Sequence, residues 1–144
     1  MAKGDTLENG ILEHILNNAD IANIGDATGL RGSSTDGNLY LSLHTSSPGD
    51  AGDQTTNEIT YTSYARVAVA RTGAVWTVTN NSAVLASPPA AFPAGTGGSG
   101  TATHFGLGTA SSGAGVLLYH GAISPTIVCG DGVTPRINPT ITES

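Results

Sequence analysis

The chain has 144 residues, enough for one domain whose core needs no disulfide staple. It carries 11 acids against 5 bases, and Lys3 is its only lysine, so a surface that tracks phosphates or nucleic acid is excluded. Only 11% of residues are charged while Gly, Ser, Thr and Ala abound, a neutral, hydroxyl-rich composition that suits contacts in an assembly as well as free solution.

Lone Cys129 has no intrachain partner and no activating base near it in sequence, and reads as a small apolar residue. No apolar run is long enough to cross a bilayer. The opening MAKGDTLENG lacks the apolar core of a signal peptide. The expectation is a protein made in a cytoplasm, with no membrane partner.

Along the chain, Asp5 with Glu8 three residues on has capping-box spacing and opens a helix. Leu7, Ile11, Leu12, Ile15 and Leu16 form its apolar stripe, with Glu8, Glu13 and His14 outside it. Asn17-Asn18 ends it. So short a helix must dock, either on its own sheet, the favoured reading, or on a neighbouring subunit. Residues 21–37 are rich in Gly, Asp and Ser and read as an irregular connector.

Residues 39–45 alternate Leu39, Leu41 and Leu43 against Tyr40, Ser42 and His44, the period of a half-buried strand. A long polar loop follows and enters a second strand at residues 66–71. A loop of this length commonly carries contacts. Further strands are expected at 75–78, 83–86, 101–108, 116–122, 127–129 and 136–142, the last interrupted by Pro139. Thr72-Gly73 and Asn80-Asn81 mark turns, and 95–100 (GTGGSG) reads as a flexible loop. The pattern predicts a mainly β fold: a single-domain antiparallel β-sandwich or barrel of about eight short strands with one N-terminal α-helix. The expected organisation is a docking helix or arm over residues 1–20, the connector over 21–37, and the β-sandwich domain over 38–144.

Catalytic and metal motifs are missing. His14, His44, His104 and His120 show no HExxH or HxH spacing, and a zinc site needs several ligands placed together. Asp50, Asp53 and Glu58 do not follow the spacing of a calcium loop and read as a solvated turn. GLGTASSGAG (106–115) has no lysine after its glycines and reads as a hairpin turn. There is no G-x-S-x-G elbow. No catalytic residue, cofactor or metal is expected. Tyr and Arg are enriched at binding hot spots, and Tyr61, Tyr64 and Arg66 sit where the long loop enters a strand. A tyrosine there serves equally to cap the sandwich end through its hydroxyl, and Glu58 is placed to pair with Arg66. The candidate interface residues are Leu12, Ile15, Glu58, Tyr61, Tyr64 and Arg66.

Residues 39–71, LYLSLHTSSPGDAGDQTTNEITYTSYARVAVAR, resemble the core signature of a family of small tailed-phage virion proteins. The resemblance continues in VWTVTN around Trp76, in Phe92-Pro93, in THFGLGTASSGAGVLLYHGAIS from Thr103, and in MAKGDTLENGILEHIL. It leaves out only residues 21–37. Such proteins are labelled as tail-fibre proteins, and similar ones serve as capsid decoration, or cement, proteins. The resemblance implies a structural virion protein with no enzymatic activity. Heptads and short β repeats of a fibre shaft are missing, so the first expectation is a cement protein on the outer capsid surface. Its partner would be the major capsid protein, and it would act as a homo-oligomer, a dimer or trimer. The alternative is a tail-tip, baseplate or tail-fibre component that contacts the host surface. A carbohydrate-binding module is a third class, and an exposed Trp76 would favour it.

Overall fold

A computed structural model describes residues 2–144. In chain order its elements are α1 (Asp5–Asn17), β1 (Asn38–His44), β2 (Val67–Ala70), β3 (Trp76–Thr79), β4 (Ser82–Leu85), β5 (Ala90–Ala91), β6 (Ser99–Gly108), β7 (Leu117–Gly130), β8 (Arg136–Ile137) and β9 (Thr140–Thr142). Strand makes up 38% of the chain and helix 9%, a mainly β fold with its one helix at the N-terminus. Three antiparallel sheets form, none closed into a barrel, and they fall into two compact units.

The first unit comprises residues up to Asn38, Ala70–Pro88 and Asn138–Ser144. Its sheet has the order β3-β4-β9. Asn80 and Asn81, both with positive φ, turn β3 back onto β4, the geometry that favours asparagine in tight hairpins. Trp76, Ala83, Leu85 and Ile141 are buried, and α1 packs on β3 and β4. Gly4 rather than Asp5 is the N-cap and bonds through no side chain. Its carbonyl accepts the N–H groups of Leu7 and Glu8 at 2.8 and 3.1 Å. Asp5 is the first helical residue, where its charge suits the positive end of the helix. The buried face runs Glu8, Leu12 and Leu16, so Glu8 lies inside the stripe expected to exclude it, while Leu7 is 38% exposed. At the other end Asn18 takes the left-handed conformation, φ 56°. Arg71 lays its guanidinium on the last turn, donating to the carbonyls of Ile15 at 2.6 Å and His14 at 2.7 Å. A cation there satisfies orphan carbonyls at the negative end of the helix. The connector holds an isolated Ile21–Leu30 bridge around a turn closed by the Asp26 side chain.

The second unit comprises Leu39–Val69 and Pro89–Ile137. Its main sheet has the order β2-β1-β6-β7, and β5 pairs β8 beside it. Leu41 lies opposite Leu107 and Leu43 opposite Phe105, an apolar layer on one face. β1 departs from the expected half-buried strand, because Ser42 and His44 on its other face are fully buried as well. The segments expected at 116–122 and 127–129 are one 14-residue strand, β7. Its register against β6 shifts between Ala102 and His104, leaving residues 123–126 as a bulge around Pro125. Ser99 and Gly100, expected in a flexible loop, already belong to β6. Pro139 separates β8 from β9. Among the described residues, no helix is long and apolar enough to cross a membrane.

Candidate functional site

The loop joining β1 to β2, residues 45–66, lies over the polar face of its own sheet. Three anchors hold it. The first is His44, whose Nδ1–H donates to the Thr56 carbonyl at 2.8 Å while Nε2 accepts the Ser42 hydroxyl at 2.8 Å. That tautomer satisfies a ring with no exposed surface. The second is Gln54, also fully buried. Its amide nitrogen donates to Tyr40 and its carbonyl oxygen accepts Ala110 N–H, while its own backbone N–H reaches Ala114. A Cβ at Gly108 or Gly115 would strike the Gln54 carboxamide, which explains the glycines of the hairpin between β6 and β7.

The third anchor is the base of the loop. Arg66 donates to both Glu58 oxygens at 2.7 Å, a bidentate fork, and to the Ala110 carbonyl at 2.9 Å. The Arg66 side chain is 3% exposed and that of Glu58 16%. Tyr64 donates its hydroxyl to Glu58 at 2.8 Å and accepts the Leu43 N–H at 3.0 Å. Tyr61 donates to the Pro93 carbonyl at 2.8 Å and meets Tyr64 edge-on, and Tyr64 stacks on Phe92. Burial pushes the Tyr61 phenol up to about 12, and the Tyr64 phenol is raised further by the same cause. Both are neutral donors at physiological pH.

Of the six residues expected at an interface, the structure brings Glu58, Tyr61, Tyr64 and Arg66 together, and it brings them together inside the chain. Tyr61 is 2% exposed and Leu12 is fully buried. Their side chains contact their own unit, so any assembly role is exerted through the surface they hold. Ile15 is half-buried and presents its carbonyl to Arg71. Trp76 is 1% exposed, which removes it as a platform for sugars.

His104 and His120 also have local partners. His104 lies opposite His44 in register and bonds Thr103, and His120 bonds Asp50 at 3.2 Å. Among the described residues, no three or more of His, Cys, Asp and Glu gather where they could hold a metal. The Asp53 carboxylate accepts from the hydroxyl and N–H of Thr55 and from Thr56, and the Thr55 hydroxyl bond foremost holds it below the usual carboxylate range. Cys129 is buried, and burial raises its thiol.

His44 makes the loop sensitive to acid. Burial lowers its pKa from the ordinary 6.5, so the unfolded chain takes up this proton first as pH falls. Stability is therefore complete above about 6.5 and lost as pH drops below it. The melting temperature should fall as pH is lowered through that value, and His44→Gln should flatten the fall. A wild-type profile with no such fall would remove this account.

A family model for the podophage GP4 fiber I protein gp80 matches residues 2–140. No protein of curated function matches the chain.

Proposed function

Since the chain belongs to the podophage GP4 fiber I protein gp80 family and is a structural protein of the phage virion, we propose that it serves as a fibre-associated subunit of the tail. The observation that carries this reading is the extent of the family match, which takes in both compact units rather than one segment. The molecule contributes binding free energy rather than catalysis. Its long loop is held down by Glu58, Tyr64, Arg66, His44 and Gln54, so a partner meets a surface already ordered and loses little entropy on binding. Neighbouring virion subunits, further copies of the chain among them, are the partners.

A second reading, a decoration protein on the major capsid protein lattice, is favoured by the compact units and the absence of heptads or short β repeats. A clamp that binds only the closed lattice stabilises it by about 2.7 kcal/mol per site at a hundredfold excess over Kd. Imaging of virions with a labelled antibody to the full chain separates the two. Label at the tail is expected. Label spread over the head, with heads lacking the protein losing DNA sooner on heating, would replace the fibre reading with the decoration reading.

A further inference from the structure

The chain places an Asn or Asp before a glycine at Asn9-Gly10, Asp36-Gly37 and Asp131-Gly132. A glycine nitrogen has no Cβ beside it, so it can attack the preceding side-chain carbonyl carbon and close a five-membered ring. The link must be free to turn for this to happen, and two of these links are held. Asn9-Gly10 lies inside α1, and the Asn9 side-chain oxygen accepts the Asn81 N–H at 2.8 Å. The Gly132 N–H donates to the Gly95 carbonyl at 2.9 Å, and Asp131 forms a parallel bridge with Gly95.

Asp36-Gly37 differs. It ends the connector just before β1, and both residues are exposed. Among the described residues, nothing accepts the Gly37 N–H. Gly37 has φ 67°, and a Cβ built there would meet no atom within 4 Å, so the link stands in open space. Two donors flank it. Asn18 Nδ2 donates to the Asp36 carboxylate at 3.2 Å and draws electrons from the carbon to be attacked. Arg71 Nη1 donates to the Asp36 backbone carbonyl at 3.4 Å.

We propose that Asp36-Gly37 is a modification site, at which the backbone rearranges without an enzyme to an isoaspartyl link. With the carboxyl carrying its proton, the Gly37 nitrogen bonds to Asp36 Cγ, and the hydroxyl and the amide proton leave as water. Water then adds at the Asp36 backbone carbonyl carbon, and the bond from that carbon to the Gly37 nitrogen breaks. The nitrogen takes up a proton, and the chain now runs through Cγ, one methylene longer. The carboxylate released is the former backbone carbonyl, so it forms beside the Arg71 guanidinium, which favours opening on this side of the ring. The proposal stands on the geometry of this one link, whether the molecule sits on tail or head.

The test ages the full chain in warm neutral buffer, folded and in urea. Peptide mapping with electron-transfer fragmentation, which separates the two linkages, is read at Asp36 and Asp131. In the folded chain isoaspartate is expected at Asp36 at least roughly fivefold faster than at Asp131, the factor for a nitrogen that must first give up one hydrogen bond. In urea the two sites should react at similar rates. Equal rates in the folded chain, or isoaspartate at Asp36 only in urea, would overturn the proposal. So would a preference for Asp36 that persists in urea, which would assign it to the neighbouring sequence rather than to the fold.

Discussion

Arg66→Ala is expected to destabilise the second unit by about 3 kcal/mol, the lower end of the range for breaking a buried ion pair by removing one partner. The lower end applies because Glu58 keeps 16% of its side chain in contact with water. The loss has three parts. Glu58 is left with Tyr64 but without its charge partner, the Ala110 carbonyl loses its donor, and the base of the loop is freed from the hairpin that follows β6. Thermal unfolding followed by circular dichroism should show a fall of roughly 10 °C. Arg66→Lys keeps the charge but not the planar fork and should fall between the two. A change under about 1 kcal/mol, the usual worth of an exposed pair, would mean that the fork does not brace the loop.

Leu12→Asp should have a larger effect, above about 4 kcal/mol, because it places a charge with no partner where the wild-type side chain is fully buried. Leu12→Ala leaves a cavity instead and should cost about 2–5 kcal/mol. The chain has a single tryptophan, and Trp76 is buried in the same unit as the helix. Its fluorescence therefore reports on the first unit alone, while strand circular dichroism reports on both. In Leu12→Asp the tryptophan emission should shift to the red at lower temperature than the loss of strand signal. Unchanged emission and melting temperature would show that the stripe is not a packing surface.

The helix is legible in the sequence because Leu12 and Leu16 repeat at its period, and the Asn80-Asn81 hairpin because asparagine tolerates positive φ. Glu8 is not, since periodicity treats every carboxylate as solvent-facing. The half-buried appearance of β1 misleads for a related reason. Ser42 and His44 look like a water-facing row, but they lie under the long loop, a contact between segments that no local pattern encodes. The Glu58–Arg66 pair is legible from charge and placement, whereas the burial of Tyr61 and Tyr64 depends on Phe92 and Pro93 far along the chain. Gln54 gives no signal by itself. The only trace of its position is indirect, in Gly108 and Gly115, which leave room for its carboxamide. Arg71 likewise sits at a strand end in sequence and at a helix end in space.

The first unit is stitched from three separated stretches of chain, the second from two that lie between them. During synthesis the second unit has all its strands once Ile137 is made, while the sheet beneath α1 still lacks β9. Until then the sheet on which α1 docks is the β3–β4 hairpin alone, and a two-stranded ribbon is marginal in water. The helix is thus secured only after a unit that follows it in the chain, the reverse of the usual N-terminal-first order. A ribosome stalled before Thr140 would hold out a nascent chain whose Leu12 and Leu16 remain open to chaperones, and adding the short β9 closes that window.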